Sequence, residues 1–211
     1  MLYNKKKGWA FVHVPKNAGT AIIQAADAMR SEDNSIEWMD RGDSVYHNKW
    51  SYWSQFDELK DLQPVGLLRN PWDRCLSLYT YNVENAAKNL DTDWGRLDHG
   101  RLIREGLSNS WCPGGFFVDQ HGIETEFNEE TGRQWAQSDE QNSWLPQENP
   151  MWFRMEDQME EFCEYTGIDM PEVENTTVRG KYQDYIDSSL ETYIHIIYER
   201  DIELGGYKFN R

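Results

Sequence analysis

The chain is short of positive charge. Its 211 residues carry 21 Lys and Arg against 37 Asp and Glu, a formal net charge of −16. A duplex nucleic-acid binder needs a basic face to displace counterions, so no nucleic-acid partner is expected. Apolar residues are also scarce, at 38%. The opening residues, M-L-Y-N-K-K-K-G-W, lead with lysines, but the apolar segment that follows is short and contains His13 and Pro15. Neither a signal peptide nor a transmembrane helix is expected from this pattern; a soluble, cytoplasmic protein is. Cysteine is scarce too. Cys75, Cys112 and Cys163 are odd in number and lack metal-like spacing, which suits inert thiols in a reducing compartment and gives no metal site. No internal repeat or low-complexity tract is present, and a single domain over 1–211 is the default at this length.

Rings are plentiful where aliphatics are not. Aromatics reach 14%, with ten Trp and eleven Tyr, so much of the buried area must come from large rings, which also suit sugar surfaces.

The organising stretch is Phe11 to Ala21, F-V-H-V-P-K-N-A-G-T-A. Trp9, Ala10, Phe11, Val12 and Val14 predict a buried strand ended by Pro15. Lys16, Asn17, Ala18 and Gly19 then predict a tight turn in which Gly19 supplies freedom that a Cβ would remove. Thr20 opens an amphipathic helix, with Ile22, Ala25, Ala26 and Met29 on one face. A strand, a lysine-bearing turn and a helix N-terminus together form an anion cradle. It is not a Walker A loop, because the lysine precedes the glycine.

Further along, Ser31 to Ser44 reads as a connection and Ser44 to His47 as a short strand. Trp50, Trp53, Phe56 and Leu59 predict a helix over Trp50 to Leu62. Val65 to Arg69 is an apolar strand. Asn70 caps the next helix, Pro71 takes its first position and Asp73 sits at its positive end, with the helix running to about Leu90. The connections are long enough for crossovers, so a central parallel sheet is expected. Asp91 to Pro150 is irregular, with a helix expected over Leu97 to Leu107 and a strand at Phe116 to Val118. Its acidic second half makes it a lid or acceptor-binding insertion, or a solvated loop. Met151 to Met155 is a strand and Glu156 to Thr166 a helix closed by Gly167. Ser188 and Glu191 form a capping box for a terminal helix carrying Leu190, Tyr193, Ile194, Ile197 and Tyr198.

The order P-K-N-A-G-T resembles the 5′-phosphosulfate loop of sulfotransferases that use 3′-phosphoadenosine 5′-phosphosulfate (PAPS), with Asn17 and Ala21 departing from the commoner Thr and Ser. Arg69-Asn70-Pro71-Trp72-Asp73-Arg74 with Leu76-Ser77-Leu78-Tyr79 resembles the 3′-phosphate motif of the carbohydrate branch. Gln141-Asn142-Ser143-Trp144-Leu145 looks like that family's Q-x-x-W-L, Arg154-Met155-Glu156 like its R-x-E, and Tyr198 to Tyr207 like its terminal Y-x-x-D-x-x-x-x-G-Y. The resemblance spans about Phe11 to Tyr207 and is weakest between Asp91 and Glu140. It implies an α/β, three-layer P-loop-like fold with a central parallel sheet and an irregular insertion at 91–150. It also implies sulfuryl transfer from PAPS to a hydroxyl, with adenosine 3′,5′-bisphosphate as product. The family's Golgi members carry a membrane anchor, so this chain looks like a soluble relative.

By the resemblance Lys16, Asn17, Ala18, Gly19, Thr20 and Ala21 hold the phosphosulfate, while Arg69 and Ser77 bind the 3′-phosphate. Arg179 and Lys181 are second contacts on that side or solvated loop charges. Gln141 and Trp144, with Trp135 as a further candidate, are expected near a carbohydrate acceptor. The reaction needs a general base. His13 is expected to be a satisfied structural group, His195 lies in the terminal helix, and His99 and His121 fall in the poorly matched middle. His47 precedes the 3′-phosphate motif where heparan-sulfate 2-O-sulfotransferases carry their histidine, so His47 joins Lys16 as a catalytic candidate. Two rivals are a P-loop nucleotide phosphotransferase, which would turn over ATP with magnesium, and a non-catalytic glycan-binding module, which would bind sugar without PAPS.

Overall fold

The computed structural model describes residues 1–29, 35–39, 47–89, 139–171 and 180–210, leaving out the side chains of 82–89. Trp135, His99, His121, Arg179, the residues expected as helix at 97–107 and strand at 116–118, and most of the insertion therefore lie outside the described residues. In chain order the elements are β1 (Leu2–Asn4), β2 (Trp9–Val12), α1 (Gly19–Ala28), β3 (Glu37–Trp38), α2 (Trp50–Trp53), β4 (Gln63–Leu68), α3 (Pro71–Asn89), β5 (Met151–Arg154), α4 (Met159–Thr166), α5 (Ser188–Ile197) and α6 (Glu199–Gly205). Short 3₁₀ turns stand at Gln141–Ser143 and Tyr182–Asp184. The described residues are thus mixed α/β, and they fall into two compact units. Among the described residues, one comprises 1–29, 35–39, 47–69 and 141–171; the other comprises 70–89, 139–140 and 180–210.

The first unit holds a five-stranded sheet in the order β3-β1-β2-β4-β5. The β2–β4 and β4–β5 pairs are parallel, as expected, while β1 pairs antiparallel with both β2 and β3, so the sheet is mixed. The opening residues fold back as a hairpin across Lys5 to Gly8. Gly8 takes φ 78°, its N–H donates to the Asn4 carbonyl at 2.8 Å, and Lys7 N–H donates to Asn4 Oδ1 at 2.8 Å. The strand L-Y-N is too short to show a period, so it reads only as a lead-in. Pro64 lies inside β4 rather than before it. The ladder to β5 begins only at Val65, so the missing N–H costs no bond on that side.

Alternation along the strands sorts the first unit's core into two faces. Trp9 and Phe11 of β2 join Leu2, Val65, Leu67 and Phe153 under Ile22 and Ala26 of α1 and Phe162 of α4. Ala10 and Val12 join Tyr3, Trp50, Trp53, Leu59, Trp144 and Leu145 on the other face. Gly66 is required by close approach, since a Cβ there would lie 2.7 Å from the Trp152 ring and 2.8 Å from Leu145 Cδ1.

The helix expected over Trp50 to Leu62 is α2 followed by successive tight turns. Phe56 N–H donates to Trp53, Leu59 to Phe56 and Leu62 to Leu59, at 3.1, 3.0 and 2.9 Å. A strict spacing of three slips by about 60° per repeat on an α-helix but stays in line on three-residue turns. The apolar period was therefore that of the turns.

The second unit packs Trp72, Cys75, Leu76 and Tyr79, one stripe of α3, with Ile186, Leu190, Ile194, Tyr198 and Ile202. Asn70 caps α3 as expected, its Oδ1 accepting from Trp72 and Asp73 N–H at 3.1 and 3.3 Å. The cap of α5 is shifted by one residue from the expected box. Asp187, not Ser188, accepts from Leu190 N–H at 2.9 Å, because a carboxylate at the cap outdoes the hydroxyl beside it. The terminal helix is also two helices, broken at Tyr198, whose φ/ψ of −108°/29° is not helical. Arg74, Cys75, Tyr198 and Asp201 are all buried. The Cys75 thiol is pushed up by burial, against the pull of Arg74 and a hydrogen bond with Tyr198. The second arginine of the R-N-P-W-D-R string and the Tyr and Asp of the terminal string therefore serve one buried polar cluster.

Trp144 corrects an expectation. Its side chain is 0% exposed in the first unit's core, its carbonyl accepts from Trp50 N–H at 2.8 Å, and it presents no ring face that a sugar could stack on. Trp144→Ala should lower unfolding free energy by about 3–5 kcal/mol in urea titrations. A loss below about 1 kcal/mol would place the ring outside the core.

Candidate functional site

The loop after β2 is built from turns in series. β2 ends at Val12 rather than at Pro15, because Val14 N–H turns back to the Val12 carbonyl at 3.0 Å. That bond closes a three-residue turn centred on His13. Asn17 N–H then donates to the Val14 carbonyl at 3.3 Å, with Pro15 and Lys16 in the middle of the turn. Lys16 takes φ 68° and Ala18 φ 57°, left-handed conformations that cost side-chain-bearing residues about 1–3 kcal/mol each. The strain falls on these two residues rather than on Gly19, the residue expected to relieve it. Gly19 is needed for space instead, since a Cβ there would lie 1.8 Å from His13 Cδ2.

Ala18 stands at the N-cap of α1 without a side-chain cap bond, and the first turn contains no acid. The N–H groups of Gly19, Thr20 and Ala21 have no acceptor within the helix, which leaves its positive end suited to an anion. Thr20 is exposed, and Lys16, Ala18 and Ala21 are half-buried.

One buried side chain ties this loop to the end of β4. Gln141, 0% exposed, accepts from Arg69 N–H at 2.9 Å and donates to the Arg69 carbonyl at 2.9 Å. Its Oε1 also accepts from Asn17 Nδ2 at 2.6 Å. The second Asn17 amide proton goes to the Leu67 carbonyl. Both neighbours are acceptors, so the Asn17 amino group must face them. Arg69 Nη1 in turn donates to the Lys16 carbonyl at 2.7 Å. The structure thus brings together Lys16, Asn17, Arg69 and Gln141. Asn17 has its amide N–H and its side chain turned into the fold, so its geometry is that of a brace. Gln141 is likewise a buried clamp, where the sequence reading expected a contact to the acceptor.

His13 and His47 meet within the same unit. Their Nε2 atoms are 3.3 Å apart and their ring centroids 4.1 Å apart. His13 is buried while His47 is half-buried. Burial holds the His13 pKa well below the usual value, helped by the charges of His47, the N-terminal amine and Lys16. Among the described residues His13 Nδ1 has no hydrogen-bond partner, so His13 is not the satisfied structural histidine expected. The available signal was parity: residue 13 continues the Trp9–Phe11 face of β2, and the Phe11 and His13 rings lie 6.4 Å apart at 18°.

Ser77 is a buried residue of α3, and Lys181 is an exposed residue before the Tyr182–Asp184 turn. Both belong to the second unit. Arg154 forks onto Asp157, at 2.8 and 2.7 Å. Among the described residues no group of three or more His, Cys, Asp or Glu side chains is placed to hold a metal, and no helix is long and apolar enough to cross a membrane. The chain matches no family model, no curated protein and no solved structure.

The depressed His13 pKa sets a direction for stability. The unfolded chain binds a proton at this residue near the ordinary value of 6.5, and the folded chain does so only at lower pH. The contribution is therefore full above the unfolded value and lost as pH falls through and below it. Urea unfolding should show stability falling from about pH 7.5 to about pH 5.5, with a shallower fall in His13→Gln. An unchanged slope in the variant would show that the decline arises elsewhere.

Proposed function

We propose that this chain is a PAPS-dependent sulfotransferase acting on a hydroxyl, with carbohydrate as the acceptor class, in a soluble, cytoplasmic setting. One observation carries the reading. Three separate strings of the family resemblance, P-K-N-A-G-T, R-N-P and Q-x-x-W-L, are joined in one unit by the Asn17–Gln141, Gln141–Arg69 and Arg69–Lys16 hydrogen bonds. Chance strings in an unrelated fold have no reason to converge. The parallel β2–β4–β5 core, with its covered faces, suits a three-layer P-loop-like architecture. In such sheets ligands sit beyond the carboxyl ends of the strands, where Lys16 and Arg69 stand.

The cradle fits an anionic nucleotide. The uncapped, acid-free start of α1 offers N–H groups, and Lys16 and Arg69 add charge at the ends of β2 and β4. When bound, PAPS supplies the sulfuryl group. Lys16 and the Ala18–Ala21 amides neutralise charge that grows on the departing phosphate, and being fixed in advance they need no reorganisation. Arg69 holds the 3′-phosphate, with its backbone locked by Gln141. Ser77 takes its 3′-phosphate role from the motif, while Lys181, outside the motif, is a second contact on that side or a solvated loop charge. His47 accepts the proton of the attacking hydroxyl.

The protein should bind adenosine 3′,5′-bisphosphate more tightly than AMP or ATP in calorimetry. Arg69→Ala should weaken that binding by about 2–4 kcal/mol, the scale of a lost charge-assisted contact. Affinity no better than for AMP would overturn the reading, and magnesium-dependent ATP turnover would replace it with a phosphotransferase. With radiolabelled PAPS and a glycan panel, His47→Ala should keep bisphosphate binding and lose turnover about a hundredfold or more. Near-normal turnover would remove His47 from the mechanism.

A further inference from the structure

The His13–His47 pair has a chemical asymmetry that assigns a role to its buried member. An imidazole–imidazole contact of 3.3 Å needs one N–H between the rings, so one Nε2 donates and the other accepts. Three groups fix His13. Its ring lies where any side chain at residue 19 would be, 1.8 Å from that position. Phe11 lies on the same strand face with its ring nearly parallel. The turn closed by Val14 N–H and the Val12 carbonyl holds the backbone. His47 is the more exposed of the two rings, and an added proton belongs where water can still solvate it.

We infer that His13 is a positioning residue for His47: its Nε2 accepts the His47 Nε2–H and so places the His47 lone pair on Nδ1. This rests on the reading of His47 as the general base. The orientation follows from what happens on proton uptake. If His13 donated instead, a proton arriving at His47 Nε2 would set N–H against N–H. With His13 accepting, His47 gains its proton at Nδ1 and the bond between the rings persists as a charge-assisted one. In the transfer, the acceptor oxygen forms its bond to sulfur as the sulfur–phosphate oxygen bond breaks. The hydroxyl proton passes to His47 Nδ1, and the electron pair leaves with the phosphate. His13 stays neutral throughout, carrying its own proton on Nδ1, a buried N–H that finds no acceptor among the described residues and so opposes this orientation at rest. The charged groups that act on His13 are His47, the N-terminal amine and Lys16, and all three disfavour a second positive charge at the pair.

Ring ¹⁵N shifts of His47 in the wild-type protein at about pH 8, above the ordinary His pKa, test the assignment directly. The expected result is a protonated Nε2 and a bare Nδ1. The opposite tautomer overturns the proposal without any variant. His13→Phe, which cannot accept, should give a tautomer mixture, a lower His47 pKa and a turnover loss of about tenfold, part of the usual general-base contribution. His13→Gln offers a carbonyl oxygen and should restore both the tautomer and most of the rate. A His13→Phe pH–rate profile that overlays the wild type, with bisphosphate binding intact, overturns the positioning role. Failure of the base reading itself is seen separately, as unchanged turnover in His47→Ala.

Discussion

The candidate site depends on one buried carboxamide. β4 ends at Leu68, and beyond it the backbone of Arg69 would have to find partners outside the ladder. Gln141 supplies both, its Oε1 accepting the Arg69 N–H and its Nε2 donating to the Arg69 carbonyl, each at 2.9 Å. A side chain thereby does for one residue what a neighbouring strand does for a whole element. Because Gln141 is fully buried, losing it would strand polar groups away from water, which costs more than the bonds themselves contribute. The same oxygen holds Asn17, so the lysine loop and the arginine are set by one group.

This arrangement makes sense of where the backbone is strained. Lys16 and Ala18 adopt positive φ without being glycine, which persists only where surroundings over-determine the conformation. Here Arg69 Nη1 on the Lys16 carbonyl, the Asn17 side-chain bonds to Leu67 and Gln141 and the Asn17 N–H on Val14 supply that determination. The product is a helix start with its N–H groups uncapped and two cations nearby, an electrostatic environment prepared before any anion arrives.

The local rules read much of this from sequence. Asn70-Pro71 announces the start of α3, Gly167 closes α4 with φ 74°, and the apolar runs of β2, β4 and β5 stand out from polar flanks. What failed did so for physical reasons. β1 is three residues long and carries no period. The three-residue spacing after Trp50 fits two kinds of turn, and only hydrogen bonding chooses between them. Gln141 and Trp144 looked like ligand contacts because polar and ring side chains in a Gly/Pro-rich stretch usually face solvent, yet these residues near the end of the insertion turn into the core. The His13–His47 contact joins residues 34 apart, a tertiary fact that spacing along the chain does not encode.

The most direct test of this arrangement is the affinity of Gln141→Leu for adenosine 3′,5′-bisphosphate, measured by calorimetry on protein shown by circular dichroism to be folded. Gln141 is buried and touches no ligand in the proposed site. The arrangement nonetheless predicts a loss of at least about tenfold, because Arg69 and the Lys16 loop lose the group that holds both. Wild-type affinity in the folded variant would contradict it.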